Sequence, residues 1–194
     1  MPLSLSELNL AYNKLRIISG KWRSRKIDVL NRSDLRPTPD RVREMLFNWL
    51  MPYTEGAVCL DLFAGSGALG FEALSRGAAH VDFVEQDKNS CTTLQNNAAT
   101  LDAKNYSINI KNAVKFINNN LTKYDIIFVD APFNSNLNAR VIDHLNTVDL
   151  KPSCKIYVET SERLQLASGQ LQIDKQKQTS TVHSALLSLN NTKN

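Results

Sequence analysis

Apolar residues along the chain fall into two periods, and the change between them organises the reading. Early in the chain the pattern is short and alternating: "LRIISGKWRSRKIDVL" reads as two brief strands about a Gly20-Lys21 turn, with cations interleaved among Trp22 and aliphatics. "RPTPDRVREMLFNWL" then carries a helix start, with Thr38 as N-cap, Pro39 at the first helical position, and Val42, Met45, Leu46, Trp49 and Leu50 on one face. From residue 57 onward, apolar runs alternate with helical segments: "AVCLDLF", "HVDFVEQ", "YSINIK", "YDIIFVD" and "KIYVET" are strand-like. The tail "LQIDKQKQTSTVHSALLSLN" predicts two more strands, a hairpin completing one sheet edge. Alternation of this kind predicts an α/β fold, with a mostly parallel seven-stranded sheet covered by helices on both faces. Residues 1–37 form a basic extension in this reading, 38–190 the main domain, and 191–194 a frayed tail.

Composition narrows the class. A chain of 194 residues with 42% hydrophobic and 22% charged residues suits one soluble globular domain. No apolar run reaches membrane-span length, and the start "MPLSLSELNLAYNKLR" lacks a basic leader and cleavage site, so a cytoplasmic protein with no membrane partner is expected. Cys59, Cys91 and Cys154 have no metal-like spacing and read as buried reduced thiols; His80, His144 and His183 are scattered, so no metal site is expected. Residues 14 to 43 hold ten Lys or Arg against three Asp, a local +7 within a chain of net +4, so the remainder carries a net −3. Such asymmetry suits a module that tracks a phosphate backbone, and equally an ordinary solvated face.

The chemistry concentrates where strands end. In "CLDLFAGSGALGFEAL" the glycines Gly65, Gly67 and Gly70 have the spacing of a nucleotide-binding loop, and Asp61 precedes them. Glu85 ends the second strand of the domain, where a carboxylate can accept both hydroxyls of a ribose. Asp61 separates the candidate ligands. A carboxylate there would repel a dinucleotide pyrophosphate, and it would attract the ammonium and sulfonium of S-adenosylmethionine. A loop or helix cap is the plainer role open to Asp61, and Phe63 reads first as packing.

A second signal is "YDIIFVDAPF", in which Asp130 and Phe133 leave the sheet beside the expected methyl donor. An exocyclic amine on a nucleobase has its lone pair delocalised into the ring. Acceptors holding its two N–H groups, here Asp130 and the carbonyl of Ala131, turn that lone pair toward a methyl carbon, while Phe133 offers a face to a flipped base. Positioning and electrostatics then carry the rate.

With these residues in view the chain resembles the bacterial 16S ribosomal RNA guanine-N2 methyltransferases, nearly end to end. The resemblance rests on "RIISGKWRSRKI", "LRPTPDRVREMLFNWL", "LDLFAGSGALGFEALSRGA", "VEQD" and "DAPF". It implies a Rossmann-like S-adenosylmethionine-dependent methyltransferase fold whose amino-terminal extension contributes to RNA binding, with 16S RNA or the small-subunit particle as partner; a monomer is the default expectation. By position it places Asp61, Phe63, Gly65, Gly67, Glu85, Gln86, Asn112, Ala113 and Asp130 at the donor, and Asp130, Ala131, Pro132 and Phe133 in the catalytic loop. Arg16, Lys21, Trp22, Arg23, Arg25, Lys26, Arg36 and Arg41 fall to RNA, whereas Arg43 and Glu44 read equally as exposed helix positions. Two positions depart from the family. Ala131 stands where a second proline is usual, and Asn112 where an aspartate reads the donor adenine. Alanine keeps the carbonyl at 131 and loses rigidity, so proline restored at 131 is expected to keep or raise the rate. The alternatives left by the residues are an RNA-binding module without turnover and an N6-adenine methyltransferase.

S-adenosylmethionine and its demethylated product are expected to bind and NAD is not. Calorimetry checks this, and Glu85→Ala should weaken donor binding by about 1 to 3 kcal/mol.

Overall fold

A computed structural model of the chain describes residues 12–30, 38–132, 135–179 and 182–190. Strands β1 (Tyr12–Arg16) and β2 (Lys26–Leu30) pair antiparallel, Tyr12 opposite Leu30. Then follow α1 (Asp40–Thr54), β3 (Val58–Asp61), α2 (Ala68–Ser75), β4 (His80–Glu85), α3 (Lys88–Leu101), β5 (Tyr106–Ile110), α4 (Ala113–Phe116), β6 (Ile126–Val129), α5 (Leu137–Leu145), β7 (Lys155–Thr160), β8 (Leu171–Gln178) and β9 (His183–Leu189). The main sheet has seven strands in the order β5-β4-β3-β6-β7-β9-β8, parallel from β5 to β7. The tail hairpin completes one edge, as its pattern predicts, and hydropathy sets which strand lies inside. "HSALLSL" is buried on both faces and sits against β7, while the polar "LQIDKQKQ" takes the rim.

Alternate strand residues feed two cores. Ile126, Phe128 and Tyr157 face α1, α2 and α3, whereas Ile127, Val129, Ile156 and Val158 face Val141 and Leu145 of α5. The first core also takes Leu15, Ile17, Trp22, Ile27 and Val29, so the hairpin β1–β2 is part of the domain's interior. In α1 the buried stripe is Val42, Leu46, Phe47 and Leu50; Met45 and Trp49 lie at its margin. All three cysteines are buried and unpaired.

Several sequence expectations change here. The two hairpin strands are joined by residues 17–25, not by a tight Gly20-Lys21 turn, because this connection docks on α2. Lys21 N–H donates to the Ser75 carbonyl at 2.8 Å, and Gly20, at φ +80, passes so close that a Cβ would lie 1.8 Å from that oxygen. Trp22 is buried at 6% exposure, edge-on to Phe71, with Lys21 Nζ over its ring. Its indole therefore anchors the hairpin and does not face RNA. Thr38 is no N-cap: Pro39 holds that position without a side-chain cap, and the Thr38 hydroxyl turns elsewhere.

Arg43 is fully buried rather than exposed, because its neighbours supply charge. Its Nη2 donates to Asp40 at 2.7 Å and to the Arg16 carbonyl at 2.9 Å, and its Nη1 lies 3.6 Å from Glu72. Glu72, also fully buried, accepts Ile18 N–H, Ser19 N–H and Arg76 Nε. This buried charge pair joins hairpin, α1 and α2, and with Arg43 Nε and Nη1 buried without a hydrogen-bond partner the ion pairs offset only part of its desolvation cost.

Trp22→Ala should lower stability by about 3 to 5 kcal/mol through the cavity it opens, while exposed Lys21→Ala stays within about 0.5 kcal/mol. Equilibrium denaturant unfolding of the two variants checks the contrast.

Candidate active site

The chain runs from β3 outward through β4 to β5 and then returns to β6, on the other side of β3. Connections at the carboxyl ends of β3 and β6 therefore depart in opposite directions, which opens a crevice there. A cavity of about 420 Å³ fills it. Asp61 ends β3, Glu85 ends β4, Asn112 lies just past β5, Asp130 follows β6, and Glu159 is near the end of β7; all five line the cavity. Phe63, Gly65, Gln86, Ala113, Ala131 and Pro132 line it too.

Each carboxyl group is held by a donor. Asp61, nearly fully buried, accepts Gly70 N–H of α2 at 3.1 Å. It is thus both the cap that the plainer reading allows and a wall of the cavity. Burial pushes its carboxyl up to about 7; the Gly70 bond opposes this and the charges of Asp130 and Glu85 add to it. Glu85 accepts Gly65 N–H at 2.9 Å and the N–H groups of Gln86 and Asp87 at 2.8 Å, which fixes the glycine loop against the end of β4. Asp130 is raised by burial and pulled back by the Thr38 hydroxyl, which donates to it at 3.0 Å. Glu159 is raised by burial and by the neighbouring Asp130 charge, and it accepts the Tyr157 hydroxyl at 2.9 Å.

The glycines divide by role. Gly65, at φ +52, has only Phe63 O as near as 4.0 Å from a built Cβ, so it borders open space where a ligand can approach. Gly67 does not line the cavity: at φ +84 its Cβ position falls 2.4 Å from Phe71 and 2.7 Å from Leu94, so it serves packing rather than the donor. Asn112 caps α4 through its oxygen, which accepts Lys115 N–H at 3.3 Å, and its amide donates to Gln86 at 2.9 Å. The oxygen expected to read adenine is therefore shared with a helix cap. Thr38 and Glu159 are absent from the sequence-derived site. Glu159 was legible by the rule that found Asp130, the carboxyl end of an apolar strand in "KIYVET"; Thr38 carried a stronger local signal as a cap.

Position 131 also needs correction. Ala131 N–H donates to Asn138 Oδ1 at 3.1 Å, a bond proline cannot make, so proline at 131 is not a gain in rigidity alone. Among the cations, Arg25 bonds the carbonyls of Thr100 and Leu101 at the end of α3, and Arg16 pairs with Asp40 at 2.7 Å. Lys21, Arg23, Lys26 and Arg41 are exposed. Phe133 and Arg36 lie outside the described residues.

Clustered carboxyl groups and the Gly65 opening fit S-adenosylmethionine: anionic walls suit its cationic methionine end, and Asp61 occupies the α2 N–H that a pyrophosphate would need. Fold and site define the chain as a Rossmann-like S-adenosylmethionine-dependent methyltransferase. Its residues 15–188 match the family described as Conserved hypothetical protein 95. It is 47% identical over 157 residues to the ribosomal RNA small subunit methyltransferase D of Haemophilus influenzae, covering 78% of this chain and 81% of that protein. The protein of that name from Escherichia coli is 47% identical over 148 residues, 76% of this chain and 75% of that one. A solved putative methyltransferase from Escherichia coli superposes with a TM-score of 0.81 at 41% identity, covering 91% of this chain and 98% of that one. The chain belongs to this family of small-subunit methyltransferase D proteins.

Asp61 must be ionised to pair with a ligand cation, and its neutral form persists up to about pH 7. The folded-state value is raised above the ordinary carboxylate range, so by itself this group's contribution to stability falls as pH rises from about 4 to about 7. Donor affinity runs the opposite way. It should strengthen several-fold from pH 6 to 7.5, and Asp61→Asn should flatten that rise; calorimetry across this range is the check.

Proposed function

We propose that this chain transfers the methyl group of S-adenosylmethionine to the N2 amine of a guanine in 16S ribosomal RNA, as a monomer acting on the RNA or the small-subunit particle. The observation that carries the reading is that Asp130 and Pro132 open into the same cavity as Asp61 and Glu85, beside a hairpin with exposed Lys21, Arg23 and Lys26. Relatives named small-subunit ribosomal RNA methyltransferases support the RNA substrate. The choice of guanine N2 rests on the family resemblance.

Asp61, Glu85, Gln86, Asn112 and Ala113 would hold S-adenosylmethionine, which supplies an electrophilic methyl group on sulfonium sulfur. Asp130 accepts one N–H of the target amine, and the Ala131 carbonyl the other. Thr38 keeps the Asp130 carboxylate in place from the start of α1, a second tether beyond the chain's own connection to β6. Transfer to the amine nitrogen would leave the electron pair of the broken sulfur–carbon bond on the donor and positive charge on the amine. Asp130 faces that charge and takes the departing proton, a role suited to a carboxyl raised by burial. Phe133 follows Pro132 and, by the resemblance, stacks on the flipped base.

Digested small-subunit RNA incubated with enzyme and donor should contain N2-methylguanosine by mass spectrometry, and Asp130→Ala should lower the single-turnover rate at least a hundredfold with little change in donor affinity. N6-methyladenosine in the digest would assign the other amine; binding of RNA without any transfer would leave an RNA-binding module.

Neutralising Arg23, Lys26 and Arg41 together should reduce the slope of log affinity for RNA against log salt by roughly 2 to 3, about 1 for each lost phosphate contact, and spare donor affinity. An unchanged slope would mean that these cations only meet solvent.

A further inference from the structure

Adjacent strands β6 and β7 are paired up to Val129 and Val158, and the next residues in that register are Asp130 and Glu159. Beyond this point the chains part around the cavity. The side chain of Asn138 spans the opening. Asn138, in the first turn of α5 and 8% exposed, accepts Ala131 N–H on Oδ1 at 3.1 Å and donates from Nδ2 to the Glu159 carbonyl at 2.7 Å. One amide thus does what a peptide group of an intervening strand would do, offering one acceptor to β6 and one donor to β7. Its orientation is fixed by chemistry: an N–H faces only the oxygen, and a carbonyl faces only the nitrogen. Asn138 does not line the cavity, so it acts on the site through position 131.

We infer that Asn138 is the positioning residue that orders the Asp130–Pro132 segment, and that positions 131 and 138 form one chemical pair. The peptide unit preceding Ala131 is held by Asn138, while the ring of Pro132 biases residue 131 itself toward extended backbone. Held from both sides, the Ala131 carbonyl has a set direction without a proline at 131. The pairing has a strict condition. Proline at 131 would leave Asn138 Oδ1 buried with no donor, whereas an apolar residue at 138 would leave Ala131 N–H buried with no acceptor. Changing both removes the Ala131 donor and the Asn138 acceptor together, so that of the three groups joined here only the Glu159 carbonyl loses a partner, and the proline ring then supplies the order that the Ala131 hydrogen bond supplied.

Four proteins test this: the natural chain, Ala131→Pro, Asn138→Leu, and the double variant. Each is measured for donor affinity by calorimetry, single-turnover methyl transfer to saturating small-subunit RNA, and thermal unfolding with donor bound. Each single change should slow transfer at least tenfold with donor affinity within about twofold, and the double variant should return to within about threefold of the natural rate. Thermal midpoints should follow the same non-additive pattern. The rate measurement rests on the RNA reading above, but the thermal comparison does not: if the natural chain transfers no methyl group to RNA, the substrate reading fails, and non-additive midpoints still support the pair. Should a single variant fail to fold, a folded double variant is the same rescue. Strictly additive effects, an Asn138→Leu variant with natural rate and midpoint, or a double variant that does not fold would each overturn the inference.

Discussion

Carboxyl groups removed from water must find donors, and in this protein that requirement shapes the whole end of the sheet. Asp61, Glu85, Asp130 and Glu159 are carried into one cavity by four neighbouring parallel strands. Burial raises three of them, which states the electrostatic cost of gathering them. Each is met from a different element: Asp61 by the start of α2, Glu85 by the glycine loop and its own following turn, Asp130 by Thr38 before α1, and Glu159 by Tyr157 within β7. The bonds that satisfy the acids therefore also fix the loops around the cavity. A site that collects acids raised by burial in this way is matched to a ligand whose cationic groups favour their ionised form.

The amino-terminal hairpin depends on a second buried charge. Arg43 lies between Asp40 and Glu72, and Glu72 also accepts two backbone N–H groups from the connection between β1 and β2. Trp22 adds an apolar anchor on Phe71. A merely basic tail would carry its cations on a loose tether. Here Lys21, Arg23 and Lys26 project from a hairpin rooted in the core that supports α1, and Thr38 at the start of α1 reaches Asp130. Surface charge and cavity thus share one frame.

Much of this was legible in the residues. Five strand-like runs alternating with helical segments specify a parallel sheet: the four inner ones are apolar because both their faces are buried, the edge run "YSINIK" is half-exposed, and the acids at the ends of the inner runs mark the ligand side. The two tail strands, the glycine loop and the place of Asp130 follow from the same local rules. Long-range partnering was not legible. Trp22 in a basic stretch looks like a nucleic-acid contact, and only its docking on α2 turns it inward. Arg43 looks like a surface helix cation until Glu72, distant in sequence, is brought opposite it.

The division has a physical basis. Sequence by itself determined what depends on near neighbours and on periodicity: element type, the inside and outside of each strand, the charge of the extension, and which chemistry collects at strand ends. Tertiary structure alone decided the pairings between residues far apart in the chain. It sent the Thr38 hydroxyl to Asp130 instead of the first turn of its helix, set Gly67 against Phe71, and placed the Asn138 amide between Ala131 and Glu159. A hydrogen bond needs its partners within about 3 Å whatever their separation in sequence, and only the folded packing of the elements sets that distance.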